Sequence, residues 1–133
     1  MEIGNTQHCF VCGHDNPHGL HLDFALDESV PALETRWVAD AAYQGYDGIL
    51  HGGMVATLLD EVVGKLSVLV EKPAVTAEMT VRFLKPVPTG EPLLVRGRFT
   101  GERRRVLDAE AHAYLADGTL AASATFVLVR AKT

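Results

Sequence analysis

Hydrophobic and polar positions divide this chain into three kinds of stretch. Residues 1–19 show no period and are rich in Cys, His, Gly, Asn and Pro, a mix that favours turns. They predict an ordered loop or short helical cap. From Leu20 the apolar positions alternate, through Leu20, Leu22, Phe24 and Leu26, then past Pro31 through Leu33, Thr35 and Trp37, which predicts two strands. Between Gly52 and Val70 the apolar run is broken only by Thr57, Asp60, Glu61, Lys65 and Ser67. Its length favours a helix over a strand, and such a helix must be covered on most sides.

Beyond Pro73, alternation returns in four segments: Val75 to Phe83, Leu93 to Phe99, Leu107 to Leu115 and Leu120 to Leu128. Each has one apolar and one more polar face, the pattern of an antiparallel sheet packed on one side. Asp117-Gly118 is a hairpin signal between the last two. One apolar helix needs a broad apolar surface to lie on, and the strands supply it. The expected architecture is α+β, with a long central helix wrapped by a curved antiparallel sheet of five to six strands. Alanines on the inward faces of the last two strands leave room for a helix backbone to approach.

With 133 residues the chain suits one domain, taken as 1–133. Its 47% hydrophobic and 22% charged residues are the balance of a folded globular protein. Twelve basic and seventeen acidic side chains give a net charge of −5, which argues against nonspecific binding to nucleic acid. The first seven residues carry no basic, apolar leader and no apolar stretch reaches about 18 residues, so a cytoplasmic location is expected. Cys9 and Cys12, spaced C-x-x-C, are the only cysteines. They make no disulfide framework of the secreted kind, and leave redox or metal chemistry open for the pair.

At about 100° per residue, Gly53, Asp60, Gly64 and Ser67 fall on one stripe of the helix, and Glu61 and Lys65 on the next. Glu61 and Lys65 have the spacing of an i,i+4 ion pair on a partly exposed face. Asp60 has no such partner, and small residues line its stripe. That suggests a carboxylate in a site, or a polar residue at a subunit contact. Gly52 and Gly53 open the helix, where amides lack intrahelical acceptors and glycine permits close approach of a ligand oxygen. Such amides can stabilise the oxyanion formed when a thioester carbonyl is attacked, although two glycines at a helix start are also ordinary loop residues.

Residues 45–64, GYDGILHGGMVATLLDEVVG, resemble the hotdog-fold thioesterases of the phenylacetyl-CoA thioesterase (PaaI-like) type, in which H-G-G precedes an acidic residue nine positions after the histidine. His51 and Asp60 have that spacing, and residues 75–90, VTAEMTVRFLKPVPTG, are similar to the family's strand after the helix. The resemblance implies an acyl-CoA thioesterase with Asp60 as nucleophile or as the base that activates water. It further implies that the Gly53 amide holds the carbonyl, that Gly52 and His51 shape the site, and that Thr76 assists from across a subunit interface. A homodimer, often paired into a tetramer, with acyl-CoA sites between subunits is implied as well. A thioester lacks amide resonance, so a carboxylate with oxyanion donors can suffice, and no cofactor is expected.

For the coenzyme phosphates, Lys85, Arg103, Arg104 and Arg105 are candidates; the alternative is a solvated charge run. Phe10, Phe24, Trp37, Tyr43 and Tyr46 are candidate lining for an aromatic or medium-chain acyl pocket, although such residues are more often core than ligand contacts. Residues 9–24, CFVCGHDNPHGLHLDF, resemble an amino-terminal signature, CFxCGxxNPxGL, of a subset of hotdog proteins. The preferred reading has no metal: a compact loop in which the thiols, Asn16 and Pro17 fix turns and cover one edge of the acyl pocket, with Asn16 at the substrate. The alternative is a Zn²⁺ site of Cys9, Cys12, His14 and His18. A non-catalytic hotdog module that binds an acyl thioester or responds to metal is the competing function.

Overall fold

The computed structural model describes residues 3–131. Its strands are β1 (Ala25–Asp27), β2 (Ala32–Val38), β3 (Ala74–Phe83), β4 (Pro92–Arg103), β5 (Val106–Tyr114) and β6 (Leu120–Arg130), and its one α-helix is α1 (Gly52–Leu69). The strands form a single antiparallel sheet in the order β1-β2-β4-β5-β6-β3. The sheet curves around α1, giving the hotdog arrangement that the alternating pattern and the apolar helix call for. No helix among the described residues is long and apolar enough to cross a membrane.

The core lies between α1 and the concave face of the sheet. Val55, Leu58, Leu59, Val62, Val63 and Leu66 bury one side of the helix against Leu93, Val95, Leu107 and Leu128. Ala109, Ala111, Ala113, Ala122 and Ala124 are buried beneath them, as their inward positions predict. Gly97 of β4 shows how close the two layers come: a Cβ there would sit 2.8 Å from Val62 and 3.0 Å from Val63. No other side chain fits without lifting the helix.

Two expectations need correction. The first strand is only three residues long, and residues 20–24 are irregular. Leu22 is nevertheless buried, and its amide donates a hydrogen bond to the Val11 carbonyl. The alternation here reports packing alone, since His21, at a φ of +55°, breaks the extended backbone that a strand requires. The second correction concerns β3, where a bulge between Thr76 and Glu78 breaks the expected alternation, so that Thr76 and Phe83 both reach α1; Val81 packs on the core, while Val75, Met79 and Phe83 are 53%, 38% and 58% exposed. Period 2 identifies the strand correctly, but not its place at the edge of the sheet.

Candidate active site

The border of α1 that meets β3, the edge strand of the sheet, carries the candidate chemistry. His51 caps the helix, and its Nδ1 accepts the Gly53 amide at 2.8 Å. The Met54 and Val55 amides both donate to the His51 carbonyl. The Gly53 amide, expected at the carbonyl of a substrate, is here occupied by the exposed His51 ring. Among the described residues, the Gly52 amide has no hydrogen-bond acceptor. Helix-start amides favour negative charge, and of the two glycine amides that of Gly52 is the one left open to an acceptor.

Gly52 and His51 line a cavity of about 610 Å³ with Tyr46, Ile49, Val55, Phe83, Leu84 and Lys85. Its wall is mainly apolar, closed on one side by Phe83, whose ring edge approaches Gly52. Of the five aromatic residues considered for an acyl pocket, only Tyr46 lines this cavity. Trp37 and Tyr43 pack on each other with ring centroids 5.6 Å apart, Phe10 is exposed, and Phe24 borders a different cavity. The missed residue is Phe83. Its strand periodicity suggested the core, and only its position beside Gly52 reveals the pocket.

Asp60 lies farther along α1, partly buried, and its Oδ1 accepts the Thr76 hydroxyl at 2.6 Å. The donor comes from β3 of the same chain. The resemblance implied help from across an interface, so the pairing of these two residues is found within one chain. No ion pair engages Asp60 among the described residues. Ser67, on the same predicted stripe, is buried; it donates to the Gly64 carbonyl and accepts the Ala74 amide, so it ties α1 to β3. Gly64 does face open space, as the stripe suggested.

Glu61 departs most from its predicted role. It makes no ion pair with Lys65, whose Nζ donates to Thr6 Oγ1 at 2.7 Å. Instead Glu61 turns toward the amino-terminal segment, with Cys9 Sγ 3.9 Å from each of its oxygens. Burial pushes the Glu61 carboxyl above the ordinary carboxylate range, partly opposed by a hydrogen bond from Cys12. Burial, then the hydrogen bond to Glu61, pushes the Cys12 thiol up to about 12. The segment 1–19 was expected to cover one edge of the acyl pocket, and the local Glu61–Lys65 spacing gave no sign of this contact.

Asn16 is not at the cavity. Its side chain donates to the His8 carbonyl and accepts the His18 amide, the turn-fixing half of its expected role. The four basic candidates also separate. Lys85 lines the cavity, whereas Arg103 is paired with Asp108 and Arg105 donates to the Arg130 carbonyl. Arg103, Arg104 and Arg105 occupy the β4–β5 turn, next to the Ala74 end of β3. That turn lies most of the length of β3, about 30 Å, from Lys85.

The sequence profile of the Thioesterase superfamily matches residues 47–122, a span that includes α1, β3 and most of the cavity wall. A protein of Saccharolobus solfataricus, SSO1253, provisionally named an esterase, is 38% identical over 88 residues, or 62% of this chain. The chain spans 57% of that relative's length. Among solved structures, the thioesterase superfamily protein RHA08564 has a TM-score of 0.87 at 24% identity, over 97% of this chain and 66% of its own. Smu.793 of Streptococcus mutans UA159, solved with acetyl-CoA bound, has a TM-score of 0.77 at 23% identity, over 84% of this chain and 90% of its own. A phenylacetic acid degradation-related thioesterase of Ralstonia eutropha JMP134 has a TM-score of 0.74 at 28% identity, over 83% of this chain and 85% of its own. The matched span covers more than half of the chain, and the architecture agrees throughout: this chain belongs to the thioesterase superfamily.

Proposed function

We propose that the chain is an acyl-CoA thioesterase for aryl or short- to medium-chain acyl groups, acting through Asp60. The observation that carries this reading is the Asp60–Thr76 hydrogen bond: a carboxylate oriented by a neutral hydroxyl, with no cation to occupy it. A carboxylate in that state can attack the thioester carbon directly, or take a proton from water as the water attacks. Either route breaks the C–S bond and expels the thiolate, which takes up a proton. Direct attack leaves an acyl-Asp60 anhydride, which water then hydrolyses. The apolar cavity supports an acyl ligand of modest size, and Lys85 at its rim suits a coenzyme phosphate. Bound acetyl-CoA in the Streptococcus mutans structure supports the choice of carrier.

Geometry supports a site shared by two copies. Eight residues separate Gly52 from Asp60, about 12 Å of helical rise, whereas one carbonyl must lie about 3 Å from both oxyanion donor and attacking group. One chain cannot place both groups on one thioester. The Gly52 end of α1 lies by Phe83, at one end of β3, and Asp60 lies by Thr76 near the other end. Antiparallel pairing of two exposed β3 edges would bring the Gly52 end of one copy beside Asp60 of the next. We read the active form as a homodimer, and the domain as the whole of 1–133 in the cytoplasm.

The test is thiol release from aryl, short and medium acyl-CoA esters by the native protein and by Asp60→Asn, with molar mass measured by light scattering. Hydrolysis confined to the native dimer is expected. Equal rates in both proteins, or none in either, would replace this reading with that of a non-catalytic binding module.

A further inference from the structure

We propose that Cys9, Cys12 and Glu61 form a binding site for a thiophilic divalent cation, zinc by its chemistry, which fastens the amino-terminal segment to α1. The three donor atoms lie within 4.8 Å of one another, although Glu61 is 52 residues from Cys9 in sequence. In a tetrahedral site with bonds of about 2.3 Å to sulfur and 2.0 Å to oxygen, neighbouring ligand atoms are about 3.5–3.8 Å apart. The two Cys9–Glu61 separations, at 3.9 Å, already approach that value. As thiol–carboxylate hydrogen bonds they are long and weak, so hydrogen bonding alone gives little reason to gather these groups.

The loop that carries the sulfurs is built for the purpose. The Val11 amide donates to Cys9 Sγ at 3.4 Å, and the Gly13 amide donates to the Cys9 carbonyl at 2.8 Å. An amide aimed at sulfur stabilises a thiolate, the form that binds metal. The turn is so tight that a Cβ on Gly13 would lie 2.3 Å from the Gln7 carbonyl oxygen. Glycine there lets both sulfurs face α1.

Donor chemistry selects the ion. Two sulfurs exclude magnesium and calcium, which take oxygen ligands, and two cysteines are too few for an iron–sulfur cluster of four thiolates. Two thiolates and a carboxylate around a divalent cation leave one negative charge, and Lys65, one turn beyond Glu61, offsets it. Cys12 also lines a cavity of about 420 Å³ with Gly13, Asp15 and Asp23, so water has room to complete the tetrahedron. His14 is not in the cluster and stacks on His21 instead. The ligand set thus differs from two cysteines and two histidines.

The test uses reduced, chelator-stripped full-length protein given one equivalent of zinc, or of cobalt as a spectroscopic probe, then gel-filtered. One metal per chain and a thiolate-to-cobalt charge-transfer band are expected in the native protein and in His14→Ala. Glu61→Gln should weaken binding at least tenfold, and Cys9→Ser and Cys12→Ser should abolish it. If a cysteine variant does not fold, Glu61→Gln and His14→Ala decide the matter. No retained metal and no cobalt band in the native protein would overturn the proposal, as would undiminished binding in Glu61→Gln or loss of binding in His14→Ala.

Discussion

Asp60 and Glu61 are consecutive residues of one helix, yet their surroundings share almost nothing. Asp60 is met by a hydroxyl from β3, and Glu61 by two thiols from the amino-terminal segment. A rotation of about 100° between neighbours on a helix is enough to send two like side chains to opposite borders of the element. The comparison teaches that charge type says little about role here. Asp60 is left without a charged partner, whereas burial raises the proton affinity of Glu61 against the opposing effect of the neighbouring thiols and Lys65.

The sharpest way to break this contrast is to neutralise each carboxylate in turn. Asp60→Asn should lower turnover about 10²–10⁴-fold, the usual worth of a general base, with the melting temperature nearly unchanged. Glu61→Gln in the same assay should leave turnover within a few-fold of native. Comparable losses in both would show that the two carboxylates act as one site.

Thr76→Val preserves shape while removing the hydroxyl that orients Asp60. Hydrogen bonds to charged groups contribute about 1.5–3 kcal/mol, so a loss of at least tenfold in turnover is expected in steady-state assays. Unaltered turnover would mean that Asp60 is positioned by the helix alone. Gly97→Ala strikes both carboxylates at once by forcing Val62 and α1 off the sheet. Overpacking of this kind destabilises by about 1–3 kcal/mol, measurable by urea unfolding.

The smallest effect concerns pH. Burial raises Glu61 in the folded chain above its ordinary value of 4.5, so its contribution to stability is fully present below 4.5 and is lost as pH rises through its folded-state pKa. In metal-free protein, Glu61→Gln should therefore gain stability relative to native as pH climbs from 4.5 toward neutrality. A difference of ~1 kcal/mol would move the melting temperature of a domain this size by about 4 °C. A constant gap across that range would refute the assignment.

Much of the fold could be read from period alone, because α1 and β2 to β6 each obey one periodicity over seven residues or more. Five apolar positions of β3 identified a strand, but nothing local distinguishes an edge from a centre: β3 leads the C-terminal strands in sequence and ends outermost in the sheet. Asp60 stood out as an unpartnered polar residue in an apolar helix, a local signal. Glu61 was misread because Lys65, four residues on, offered a sufficient local partner, and the competing one was 52 residues away. Arg103 and Lys85 were grouped by charge, although strand length puts them at opposite ends of the sheet. The sequence motif His51-Gly52-Gly53 located the helix start, but not that His51 itself occupies the Gly53 amide.

The strand order also has a consequence for synthesis. β3 leaves the ribosome before β4, β5 and β6, yet its only partner in the chain is β6, which ends at Arg130. Its backbone groups must wait, unpaired, for the last strand to arrive. Pairings between distant segments form slowly, and an unpaired apolar strand is prone to meet the wrong neighbour. The stretch bearing Thr76 and Phe83 is thus made early and finished late. Emergence of β6, rather than of the helix, sets the earliest moment at which β3 can take its place in the sheet.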